Sequence, residues 1–146
     1  MKTKNLLAYD AKVLIALSEA IDGKDKFYSF LLKNYPELAA FASTVHGSHE
    51  AYKWLVKNEY NVLAAMLDAM EENTEAILFL QRSKQEAMFK FVKASLQDKG
   101  AYNWLVENAQ ALAIVAARVR IVNDRKKRES KDVFMKFYNM TVKAFK

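Results

Sequence analysis

The chain has 146 residues, 52% hydrophobic and 27% charged, with one proline, three glycines, no cysteine and a net charge of +6. That balance suits a single folded domain and excludes a disordered chain, while the lack of cysteine excludes disulfide, thiolate-metal and thiol-redox chemistry. So little glycine and proline, beside abundant Ala, Leu, Lys and Glu, favours helices over a sandwich or barrel.

Met1 to Lys12 carries lysines but no long apolar run and no small-residue cleavage site, which argues against a secretory signal. No apolar stretch approaches the roughly 20 residues needed to span a bilayer. A cytoplasmic location is therefore the default expectation.

Leu6-Leu7-Ala8-Tyr9-Asp10 begins a repeat that becomes clear farther along. Its copies run from Phe27 to Asn34, Ala51 to Asn58, Ala76 to Ser83 and Ala101 to Asn108. Ala51-Tyr52-Lys53-Trp54-Leu55-Val56-Lys57-Asn58 shares six of its eight residues with Ala101-Tyr102-Asn103-Trp104-Leu105-Val106-Glu107-Asn108. A polar marker falls at Asp10, Asn34, Asn58, Ser83 and Asn108, in steps of 24, 24, 25 and 25 residues. A fixed period of this size is the mark of a helical repeat. After each marker comes a second apolar element, at Val13-Leu14, Leu38-Ala39-Ala40, Leu63-Ala64-Ala65, Ala87-Met88 and Leu112-Ala113.

Pro36, two residues past Asn34, breaks a continuous helix, and asparagine closes helices well in the left-handed conformation. Each unit is therefore expected to be two short helices. Asp22-Gly23-Lys24-Asp25 and His46-Gly47-Ser48-His49 are turns between units, with Gln97-Asp98-Lys99-Gly100 a shifted version. Asp25, Ser48, Thr74 and Asp98 are placed to cap the helices that follow. The expectation is one all-α domain over residues 1–146, an α-solenoid of about five stacked hairpins at about 5–24, 25–48, 49–73, 74–98 and 99–123. Phe30, Trp54, Phe79 and Trp104 form one column, read as inter-repeat core in preference to a base-stacking ladder. Ala109 to Val122 is apolar almost all round and needs a cover. Phe134, Phe137, Tyr138, Thr141 and Phe145 share one helical face, so a capping helix is expected at about 131–145.

Charge is uneven. Residues 25–75 carry a net −4, whereas residues 118–146 carry +7. Arg118, Arg120, Arg125, Lys126, Lys127 and Arg128 form the candidate site for nucleic acid or another anionic surface, although cations are also simply favoured at helix C-termini. The acidic middle could meet a basic partner or the basic tail of another copy, which leaves self-association open.

Little points to catalysis. His46 and His49 with Glu50 flank a turn and show no His-Glu-x-x-His spacing, so no metal site is assigned. There is no glycine-rich phosphate loop and no Gly-x-Ser-x-Gly elbow, so no cofactor and no enzymatic activity are expected.

Stacked hairpins with an Ala-Tyr-x-Trp-Leu-x-x-Asn signature resemble the α-solenoids, including HEAT-like and pentatricopeptide-like repeats. The unit is shorter than in those families, and the signature is closer to short helical-repeat proteins of unassigned function found in bacteria. The resemblance covers about residues 6–122 and implies binding of a protein or peptide, or in some cases nucleic acid, on an extended concave surface.

Overall fold

The computed structural model describes residues 4–144, with side chains described for residues 4–129. Among the described residues the chain is all-helical. A 3-10 turn at Leu6–Ala8 leads into α1 (Ala11–Ile21), α2 (Asp25–Asn34), α3 (Pro36–Val45), α4 (His49–Lys57) and α5 (Asn61–Met70). These are followed by α6 (Thr74–Arg82), α7 (Glu86–Ser95), α8 (Lys99–Asn108) and α9 (Gln110–Ala144).

Loops of one to three residues force each helix to run back along the one before it. Even-numbered helices form an outer layer and odd-numbered helices an inner one. α4 buries only Leu55, whereas α5 buries Val62, Leu63, Ala64, Met66, Leu67, Ala69 and Met70. The outer helices each contribute one fully buried leucine, Leu31, Leu55, Leu80 and Leu105, at the same repeat position. The inner helices bury i, i+3, i+4 and i+7 throughout, as in Leu38, Phe41, Ala42 and Val45 of α3.

The inner layer does not remain an open row. α1 packs on α3, α3 on α5, α5 on α7 and α7 on α9, and α9 returns to α1 in an interface as extensive as those between neighbours. Leu17, Phe41, Met66, Phe91 and Val115 occupy one repeat position and are all fully buried inside the ring. Phe41 of α3 meets Phe91 of α7 edge to face at 6.3 Å. Two inner helices that are not neighbours in the series thus touch across the centre.

Closure corrects the expectation of a separate capping helix. α9 is continuous from Gln110 to Ala144, so the backbone at 131–144 extends an existing helix. The side chains of Phe134, Phe137, Tyr138, Thr141 and Phe145 lie outside the described residues. Ala109 to Val122 is covered instead by α1, α7 and α8, which bury Leu112, Ala113, Val115, Ala116, Val119 and Val122.

The aromatic column meets the expectation in part: Phe79 and Trp104 are half-buried against the core, whereas the other two rings are not. Phe30 is 44% and Trp54 37% exposed, and Trp54 stacks on Tyr60 at 5.9 Å over the turn that ends its own helix. The adjacent leucine is the core residue. The marker asparagines close their helices through the side chain: the Nδ2 groups of Asn34, Asn58 and Asn108 donate to the carbonyls of Phe30, Trp54 and Trp104, at 2.9, 2.8 and 2.9 Å.

Left-handed backbone follows two of the markers, at Glu59 after Asn58 and Lys84 after Ser83, and sits in every inter-unit turn, at Gly23, Gly47, Glu72 and Gln97; after Asn34 and Asn108 the chain stays at negative φ. The third and fourth inter-unit turns therefore place Glu72 and Gln97 where the first two use glycine, and Gly100 lies inside α8. Ser48 and Asp98 cap as expected, but Asn73, one residue before Thr74, caps α6, and Lys24 precedes α2 with no side-chain cap. Because a left-handed residue with a Cβ is strained, Glu72→Gly is expected to raise stability by about 1 kcal/mol in denaturant unfolding.

Candidate interaction surfaces

The alternation of helices brings the C-terminal ends of α1, α3, α5 and α7 to one end of the ring, and α9 runs past them. The C-terminal end of a helix attracts cations. Two members of the basic cluster use that attraction internally. Arg118 reaches Asp22 at 2.9 Å and Glu19 at 3.7 Å, tying α9 to the end of α1. Lys126 donates to the carbonyl of Val45, the last residue of α3. Burial lowers the pKa of the Lys126 ammonium, and the Glu71 carboxylate offsets part of that shift. Arg120 pairs with Asp124 at 3.8 Å on its own helix.

The six cations therefore do not form one patch. Arg125, Lys127 and Arg128 are exposed, and among the described residues no carboxylate pairs with them. Arg118→Met tests the closure tether. With partly exposed partners, it is expected to cost about 1 kcal/mol at low salt and less at high salt, read by denaturant unfolding at both ionic strengths.

His46 and His49 serve structural contacts. His46 Nε2 lies 2.7 Å from the carbonyl of Ile21, and His49 stacks on Tyr52. Among the described residues no group of three His, Cys, Asp or Glu side chains converges as metal ligands, and no helix is long and apolar enough to cross a membrane.

Tyrosines at one repeat position link outer to inner helices. Tyr28 shares a hydrogen bond with Ser43 at 2.9 Å, and Tyr52 donates to Asp68 Oδ2 at 2.7 Å. Near the N-terminus Tyr9 donates to Glu37 at 2.8 Å, and this carboxylate, though buried, also has Lys4 at 3.7 Å. Burial and the Asp68 carboxylate push the Tyr52 hydroxyl up to about 12 from 10.0, and burial with Glu37 raises Tyr9 further. Since the neutral phenol is the form the fold favours, Tyr52's contribution is complete below pH 10 and is lost as pH climbs through about 12. An alkaline ultraviolet titration should show late-ionising tyrosine, and Tyr52→Phe should remove the step near pH 12.

The outer helices barely touch one another, which leaves grooves between adjacent hairpins. The one between α4 and α6 is shallow and open to solvent, with a volume of about 400 Å³. It is lined by Val56 of α4, by Ala64, Ala65 and Asp68 of α5 and by Glu75, Ala76 and Phe79 of α6, together with the polar Tyr52, Asn61 and Asn73. A second cleft, of about 270 Å³, shares Tyr52 and Asp68 with it and adds His49, Glu71 and Asn123. Neither is lined by a lysine or arginine.

Sequence reasoning missed this surface. Its signal is the third apolar column, Leu32, Val56 and Val106, which stands opposite the aromatic column on the helix and is exposed at 55, 47 and 43%. No protein-family model, curated protein or solved structure matches the chain.

Proposed function

We propose that the chain is a non-enzymatic interaction module that docks a helix or peptide of a protein partner on its outer surface. The observation that carries this reading is the α4–α6 groove, lined by Val56, Phe79 and three alanines with two carboxylates, Asp68 and Glu75. Apolar side chains exposed at fixed repeat positions have no role in the core, and contiguous exposed apolar surface is characteristic of binding sites. Ring closure moves the expected binding face from an open concave surface to these outer grooves. Small and larger apolar residues together along a groove between two helices suit an amphipathic helix laid lengthwise.

Ala65→Gln fills the groove from a half-buried helical position and leaves the buried leucine column intact. Affinity capture with the parent chain should recover a discrete, nuclease-resistant partner that Ala65→Gln loses at unchanged melting temperature. Equal recovery by both would remove the groove from the reading.

A second reading rests on exposed Arg125, Lys127 and Arg128 at the end of the ring. An anionic partner held there would weaken steeply with salt, and neutralising the three residues would flatten that dependence by about 0.9 in slope for each phosphate they had neutralised. Undiminished binding by that variant would exclude it.

A further inference from the structure

We propose that the α4–α6 groove receives the C-terminal helical segment of a second copy of this chain; the proposal rests on the groove's being a protein-docking site. Residues 130–146 contain four lysines and a single acid, Asp132, with Phe134, Phe137, Tyr138 and Phe145 at helical spacing. The groove offers the complement: apolar lining at Val56, Phe79, Ala64, Ala65 and Ala76, and Asp68 and Glu75 with no lining lysine or arginine. The cleft joined to it through Tyr52 and Asp68 adds Glu71.

Two further observations select a second copy as occupant. α9 is one helix to Ala144, and Lys126 already sits at the end of α3, so the segment's far end lies roughly 27 Å farther along the helix axis, and a continuous helix does not fold back into its own groove. Two such segments paired with each other would set lysines against lysines, whereas each faces opposite charge in a groove. A reciprocal exchange gives a closed pair, and a one-way exchange gives a growing row.

Sedimentation of the full chain across a wide concentration range tests the proposal. The mass should rise above the 16.8 kDa of one chain, and the association should weaken as salt is added. Ala65→Gln should abolish it, and so should Phe134→Ser combined with Phe137→Ser. Glu75→Lys, on the exposed rim, gives a second groove variant if Ala65→Gln melts early. The decisive arm mixes the groove variant with the double tail variant. The intact tail of one then meets the intact groove of the other, and hetero-association should return.

A mass fixed at 16.8 kDa throughout overturns the proposal, as does association that survives both kinds of variant. A fixed mass together with binding to phosphatidylserine vesicles that the double tail variant loses also overturns it, and assigns the segment to a lipid surface. If the chain stays single while Ala65→Gln still loses a captured partner, self-docking fails and the groove reading stands. If capture is also unaffected by Ala65→Gln, both fail.

Discussion

Phe41→Ala is expected to lower stability by about 3–5 kcal/mol in denaturant unfolding, among the largest effects any single truncation should have. Phe41 is fully buried at the centre of the ring, where its edge-to-face contact with Phe91 joins α3 to α7. In an open row these helices would stand two units apart, so the pair reports directly on closure. A double-mutant cycle on Phe41→Ala and Phe91→Ala should return a coupling of about 0.5–1.5 kcal/mol. Strictly additive effects would mean that the rings do not meet, and hence that the row is open.

The second large effect separates two adjacent residues of the repeat signature. Leu55→Ala should cost about 2–5 kcal/mol, because it leaves a cavity where a fully buried side chain joins an outer helix to the inner layer. Trp54→Ala should cost about 1 kcal/mol, the worth of a stacked ring pair at the surface, since the indole is 37% exposed and lies on Tyr60. Thermal or denaturant unfolding of the two variants side by side gives the ordering. Equal losses would return the tryptophan to the core.

Much of this fold is legible in the residues themselves. The 24- and 25-residue steps between polar markers give the four hairpins from α2–α3 to α8–α9, and Pro36 gives the division of a unit into two helices. The first unit has only the 3-10 turn Leu6–Ala8 where a first helix is expected. Spacing along a helix does not state how far each unit rotates on the next, and closure depends on that rotation. A hint lies at the two ends of the chain. Glu19 and Asp22 of α1 find their cation in Arg118 of α9, and Leu17 and Val115 are apolar toward the centre, where an unpaired end would show a polar face.

The turns are half legible for a related reason. Glycine announces a left-handed residue at Gly23 and Gly47, but Glu72 and Gln97 adopt the same conformation with no compositional signal. Phe30 and Trp54 mislead because size suggests burial, although Phe79 and Trp104 of the same column do pack on the core. The helix face is set by the leucine beside each ring, and the ring lies to one flank, over the next turn. The basic cluster divides for the same geometric reason. A helix places consecutive residues on different sides, so Arg118 and Lys126 turn inward to carbonyl and carboxylate groups while Arg125, Lys127 and Arg128 face water.

Closure also fixes how many units such a chain can have. An open helical row can lengthen or shorten by a hairpin, because each unit answers only to its neighbours. Here α1 packs on α9, so an inserted or deleted hairpin would have to break that contact, with Arg118 parted from Glu19 and Asp22. Among the described residues the row is therefore counted as well as repeated, because its first and last inner helices answer to each other as well as to their neighbours.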